Sequence, residues 1–368
     1  MEVDNGGMRT LRLLVMPEDL SLPESQQAMA EAAAILRRGG TVALPTETVY
    51  GLGANALEPA AVAAIFTAKE RPGWDPLIVH VADDEMLAGV VAEIPERARL
   101  LMQAFWPGPL TMLLPRSAAV PDAVTAGRAL VGVRIPRHPV ALEVIRRAGV
   151  PIAAPSANRF GHTSPTTAEH VLEDLDGRID AVLDAGPTAF GVESTVLDAS
   201  VSPMILYRPG AVTLQQIRVV AGAAEMFVES GDLVEKPREA LPSPGVGLRH
   251  YAPKARLIVV DEAERAGLAD RLFEIALGFQ GERTGVMLPE RIDGLRAPRH
   301  WEDLPAEIFA WGPWSDLEGL AHRLFAGLRS LDAVGCSVIL CPAPPERGIG
   351  LAIRDRLRKA AWKAEPQA

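Results

Sequence analysis

Cysteine is scarce in this chain: Cys336 and Cys341 are the two it has in 368 residues. Both fall in one expected strand, where a separation of five residues at about 3.3 Å each holds them beyond disulfide reach. They read as reduced core residues, and no CxxC spacing offers a metal site. Long apolar runs are also missing. The longest, such as Thr41–Pro45 and Leu77–Val81, are strand-sized, so no membrane span is expected. A secretory leader is not expected either, because Glu2 and Asp4 stand where a basic start belongs and Arg12 interrupts Leu11–Met16; a cytoplasmic location follows. Positive charge is in deficit, with 37 Lys and Arg against 47 Asp and Glu and a net charge of −10. That disfavours a chain-wide nucleic-acid clamp, and no stable nucleic-acid binding is expected. GxxxxGKS/T, GxSxG and HExxH are absent, which leaves P-loop, hydrolase-elbow and zincin chemistry without local support.

The length favours two domains, and a composition 48% hydrophobic and 23% charged is that of a globular protein. Helix and strand patterns alternate over the first two hundred residues or so. Pro23–Arg38 predicts a helix that Gly39-Gly40 stops. Strands are expected at 41–44, 77–81, 110–114, 131–135, 152–154, 182–183 and 194–197, and helices at 140–147 and 167–175. After Pro209-Gly210 the pattern weakens, and residues 222–254 have the Gly, Ser, Pro and charge mix of a linker. A second α/β pattern follows, with strands at 256–260, 285–288 and 337–340 and helices at 317–331 and 353–363. The expected division is 1–213 catalytic, 214–254 linker and 255–368 C-terminal domain.

Chemistry concentrates in the first domain. Pro45-Thr-Glu-Thr-Val-Tyr-Gly-Leu-Gly53 follows a strand, where α/β sheets place ligands, and offers hydroxyls, a carboxylate and glycines; a polar turn is the plain alternative. Gly51–Ala56 also fits a loose GxGxxA dinucleotide fingerprint, but Pro45–Tyr50 intervenes between strand and glycines. Lys69 and Arg71 sit two apart before Pro72, able to share an anion such as a phosphate chain. His80 and Arg134 lie in apolar strands, and Arg134 needs an anion from either the protein or a ligand. Ser156 and Asn158 end a strand of small residues, a setting for a nucleotide seat or a helix cap. Gly191-Val-Glu-Ser194 and Leu206-Tyr-Arg208 repeat the theme of a hydroxyl or cation at a strand end.

Taken together, Lys69-x-Arg71, Ser156-x-Asn158, PTETVYGLG (45–53), WPGPLT (106–111), VRIP (133–136), GVEST (191–195) and RPG (208–210) resemble the YrdC-like threonylcarbamoyl-AMP synthases. HYAP (250–253) and PERGIG (345–350) are similar to the long form of that family. The resemblance implies a large mixed-sheet N-terminal domain and a smaller Rossmann-like C-terminal one. It implies that L-threonine, bicarbonate and ATP, with Mg²⁺ on the nucleotide, give L-threonylcarbamoyl-AMP and pyrophosphate. Downstream proteins then transfer the group to tRNA beside the anticodon. Carried over by motif, Thr48, His80, Arg134, Ala154 and Ser194 would line the threonine pocket. Lys69, Arg71, Asp75, Leu130, Ser156, Asn158, Ser164 and Arg208 would contact ATP, with Lys69 and Arg71 acting in catalysis and Tyr251 closing over from the linker. Asp75 departs from the family's usual Asn, and Arg159-Phe160 from its usual small polar stretch. A tRNA or double-stranded-RNA-binding module and a non-catalytic ATP-sensing subunit are the competing classes.

Overall fold

The computed structural model describes residues 9–228, 243, 245–246, 250–261, 268–279, 281–290 and 306–361. Residues 229–242, 244 and 247–249 of the expected linker, and the end of the helix expected at 353–363, lie outside them. Two sheets carry the fold. The larger has eleven strands in the order β1-β8-β2-β3-β7-β4-β6-β5-β9-β10-β11. Its strands are β1 (Leu11–Leu14), β2 (Val42–Leu44), β3 (Gly51–Asn55), β4 (Ile78–His80), β5 (Leu110–Pro115), β6 (Leu130–Arg134), β7 (Ile152–Ala153), β8 (Ala181–Asp184), β9 (Thr195–Asp198), β10 (Met204–Arg208) and β11 (Ala224–Met226). Pairing is mixed: β4 runs parallel to β6, whereas β7 is antiparallel to both β3 and β4.

Helices cover both faces. On one, α1 (Pro23–Arg37) and α6 (Pro139–Ala148) press Met29, Ile35, Leu36, Val144 and Ile145 onto the sheet. On the other, α2 (Pro59–Lys69), α4 (Glu96–Phe105), α7 (Ala168–Leu175) and α8 (Leu214–Ala221) bury Ile65, Leu101, Val171 and Ile217. Short helices α3 (Asp84–Val90) and α5 (Asp122–Thr125) complete the layer. The stretch expected as linker from 214 therefore begins with a helix and a strand, and β11 extends the large sheet beside β10. The pattern reading missed them because α8 and β11 are short and half exposed. Gly51–Asn55 is a strand and not a dinucleotide loop; a Cβ on Gly53 would lie 2.8 Å from Ile152, so the glycine serves close strand packing.

The smaller sheet is entirely parallel, in the order β12-β15-β13-β14, formed by β12 (Arg256–Val260), β13 (Thr284–Glu290), β14 (Ala306–Pro313) and β15 (Val338–Pro342). Helices α9 (Leu268–Leu277), α10 (Leu317–Ala333) and α11 (Gly350–Ala361) pack with it. Cys336 and Cys341 are buried free thiols in this core. The same core takes in Val49, Val192 and Tyr251, so the C-terminal half packs directly on loops of the large sheet. Gly191, at φ +70°, permits this approach: a Cβ there would meet the His322 carbonyl at 2.5 Å.

A buried charge cluster adds to the docking. Arg329 of α10 donates to the Thr163 carbonyl and pairs with Glu173 and Asp174, each at 2.8 Å. Burial works against the Asp174 charge, but His162 and Arg329 outweigh it and bring its pKa from 3.8 down to about 2. A carboxyl depressed in this way contributes stability above its unfolded value that is lost as pH falls through its folded one. We expect Asp174→Asn to cost about 3 kcal/mol at neutral pH. It should also lose less stability than the wild type between about pH 4 and pH 2, as read by denaturant titration. Parallel acid profiles would show that Asp174 is not ionised across the interface.

Candidate active site

One cavity, of about 50 Å³, draws its lining from the ends of β2, β3, β4, β6, β7, β9 and β10. The parallel register of β4 on β6 sets His80 directly beside Arg134. Arg134, 4% exposed, donates from Nε to His80 Nε2 at 2.8 Å and from Nη1 to Glu47 Oε1 at 3.2 Å. Its Nη2 reaches the hydroxyls of Thr46 at 3.3 Å and Thr48 at 3.1 Å. Burial, then the neighbouring guanidinium, push the His80 pKa well below its ordinary value, so the ring is neutral and Nε2 is free to accept. Thr46 shapes the loop as well: its hydroxyl donates to the Val49 carbonyl at 2.6 Å and accepts from the Thr48 amide at 3.2 Å.

Across the cavity, Arg208 holds Ser194 by its carbonyl at 3.0 Å and its hydroxyl at 3.1 Å, and Thr111 bonds the same hydroxyl at 2.8 Å. Arg71 donates to the carbonyls of Asp75 and Pro76 and pairs with the Asp75 carboxylate at 2.9 Å. Three guanidiniums, from Arg71, Arg134 and Arg208, thus face one cavity with Thr48, His80, Ala154, Ser156, Ser194 and Tyr251.

Other expected site residues stand behind this lining. Lys69 is 1% exposed and donates to the carbonyls of Ser156, at 2.6 Å, and Asn158. Burial, then Arg71, lower its pKa well below the usual value. Lys69 and Arg71 therefore grip different carbonyls and do not share an anion, because α2 ends between them with Glu70 in the left-handed region. Asn158 braces its own loop through the carbonyls of Arg159 and His162, Ser164 donates to Glu193 at 2.5 Å, and Leu130 packs beside Ile78 and Leu113. The anion that Arg134 requires is Glu47, a residue within PTETVYGLG that the sequence reading did not single out. Glu193 lines the cavity and was also missed, although it sits next to Ser194; His250, of the HYAP segment, lines it beside Tyr251.

Over 96% of its length the chain is 43% identical to the threonylcarbamoyl-AMP synthase of Bacillus subtilis (strain 168), covering 98% of that protein. The chain belongs to the threonylcarbamoyl-AMP synthase family. Residues 34–210 match the Sua5/YciO/YrdC family model, described as "Telomere recombination". Residues 212–362 match the model described as "Threonylcarbamoyl-AMP synthase, C-terminal domain". The Pyrococcus abyssi (strain GE5 / Orsay) family member is 43% identical over 90% of this chain and 93% of its own. A crystal structure of P. abyssi Sua5 complexed with L-threonine superimposes with a TM-score of 0.84 at 41% identity, covering 96% of this chain and 98% of that one.

Gly245, His250 and Tyr251 close one wall of the cavity. Tyr251 takes φ 64°, a conformation costly for an aromatic residue, and is held by stacking on Phe325 at 5.8 Å. The Ala252 amide donates to the Gly161 carbonyl at 2.9 Å. Phe160 meets the His250 ring edge-on at 4.9 Å. Asp75 lies 3.5 Å from His250. Burial opposes its charge, but Arg71 and His250 outweigh that and hold the carboxyl below its usual range. The Asp75 carboxylate therefore lies between Arg71 and the His250 of this strap. Replacing Asp75 with Asn is expected to speed hydrogen exchange at the Ala252 amide by about tenfold; equal exchange in the two proteins would disconnect Asp75 from the strap.

Proposed function

We propose that this chain condenses L-threonine, bicarbonate and ATP into L-threonylcarbamoyl-AMP, releasing pyrophosphate. The observation that carries the reading is the buried Arg134 cluster at the head of a cavity that two further guanidiniums face. A threonine carboxylate would bind at the Nη2 edge of Arg134, whose partners are the neutral hydroxyls of Thr46 and Thr48, while Glu47 keeps the guanidinium in register. Ser194, whose hydroxyl Arg208 and Thr111 orient, and neutral His80, whose Nε2 is taken by Arg134, would line the pocket around the rest of the amino acid. The amine takes up bicarbonate with loss of water, and a carbamate oxygen then attacks the α-phosphorus as the bond to pyrophosphate breaks. No covalent enzyme intermediate is needed. Catalysis rests on alignment and on Arg71 and Arg208, which offset the charge that grows on the leaving pyrophosphate.

Lys69 serves this site from behind, fixing the Ser156–Asn158 loop that would seat the nucleotide; the buried Asn158 Oδ1, without a hydrogen-bond partner among the described residues, is an acceptor left for it. A cavity of about 50 Å³ suits a small polar molecule, so ATP entry requires the wall at His250 and Tyr251 to give way and Tyr251 to close again. Among the described residues no three His, Cys, Asp or Glu side chains come together as a metal site, and Asp75 is turned to Arg71 and His250. Mg²⁺ would arrive on the triphosphate, which supplies its oxygens. The C-terminal unit is read as Rossmann-like on the support of its parallel sheet with packed helices. We assign the pathway to the cytoplasm, with threonylcarbamoyl-transfer proteins acting on tRNA downstream. None of the described helices is long and apolar enough to cross a membrane.

Pyrophosphate release from ATP in the presence of Mg²⁺ and bicarbonate should depend on L-threonine. Arg134→Ala should reduce kcat/KM for threonine by about a hundredfold or more, the loss of a buried charged contact. Release that ignores threonine would reject the reaction, and a fully active Arg134→Ala would reject the carboxylate anchor.

A further inference from the structure

Glu193 is the one carboxylate among the residues that line the cavity. A lone carboxylate facing a triphosphate would repel it, and the chain neutralises this one from the other sheet. Arg356, on α11 and 1% exposed, donates from Nε to Glu193 Oε2 at 2.7 Å and from Nη1 to the Pro209 carbonyl at 2.9 Å. Its guanidinium carbon lies 5.3 Å from the centre of the Tyr251 ring. The other oxygen of Glu193 accepts from Ser164 at 2.5 Å. One side chain of the C-terminal domain thus orders the loop before Ser194, the loop after Arg208, Ser164 and the ring of the strap.

Burial disfavours the Glu193 charge, yet Arg356 and then Arg208 outweigh it and keep the carboxyl below its ordinary range. Arg208 acts on Glu193 through its charge alone, while its hydrogen bonds go to the adjacent Ser194. Without Arg356, the Glu193 charge would draw on Arg208 and weaken the grip available to phosphate oxygens. The Arg134 side of the cavity would be untouched, because its partners are Glu47, His80, Thr46 and Thr48.

We propose that Arg356 is a positioning residue for the nucleotide half of the reaction, acting through Glu193 and Tyr251 so that the C-terminal domain completes the site. The inference rests on the ATP-dependent reaction proposed above, and wild-type threonine-dependent pyrophosphate release tests that reaction separately. The test compares full-length wild type, Arg356→Gln, Arg356→Lys and the double variant Arg356→Gln with Glu193→Gln, measuring KM for ATP and for threonine. Arg356→Gln should raise KM for ATP by about tenfold and leave that for threonine within about twofold. Removing the stranded carboxylate in the double variant should bring KM for ATP back to within about threefold of wild type. Arg356→Lys keeps the charge but not the fork, and should raise it by about threefold. Unchanged KM for ATP in Arg356→Gln, or no recovery in the double variant, overturns the proposal. Should Arg356→Gln fail to fold, Arg356→Lys decides: a wild-type KM for ATP overturns the proposal and a raised one supports it. A purely structural role would lower stability while leaving the ratio of the two KM values where it was.

Discussion

A guanidinium inside an eleven-stranded sheet must be surrounded by acceptors, and the cavity is organised by meeting that demand at Arg134. The four groups that do so come from two places: Glu47, Thr46 and Thr48 from the loop after β2, and His80 from the strand beside β6. Because the charge is out of water, each of these contacts is stiff, and the loss of any one would expose the others to an unsatisfied partner. The loop is therefore fixed before any ligand arrives. A small substrate meets a site whose donors and acceptors already point inward, which is the condition for catalysis by alignment.

The large sheet does not close the site alone. The cavity wall at Gly245, His250 and Tyr251 comes from the segment that joins the two sheets, and the core of the smaller sheet reaches through Tyr251 to Val49 and Val192. Lys359 reinforces the wall by donating to the Gly245 carbonyl at 2.6 Å. Buried cations of α10 and α11 repeat one tactic: Arg329 on Thr163 and Asp174, Arg356 on Glu193 and Pro209, each next to a loop that shapes the cavity. Docking of the domains and shaping of the site thus share the contacts of Arg356, Lys359 and Tyr251.

Asp75 and Phe160 both act on the cavity wall at His250. Asp75 gives Arg71 a partner and reaches His250, while Phe160 lies against His250 and 5.9 Å beneath the Arg71 guanidinium. His250 is thus held between a carboxylate at 3.5 Å and an aromatic edge.

Hydrophobic period and turn chemistry determined the α/β class, the long helices α1 and α10 and most of the inner strands, because those signals are local. The motifs determined which reaction to expect and brought together nine of the residues that line the cavity, since a strand end and the loop after it are adjacent in sequence. Short or half-exposed elements such as β1, β11 and α8 left too weak a period to read. Nothing local could reveal that Glu47 and not a ligand neutralises Arg134, that Lys69 faces backward, or that Arg356 reaches Glu193, a separation of 163 residues. Those are decisions of strand order and domain docking, where the cost of burying a charge selects partners by their distance in space and is blind to their distance along the chain.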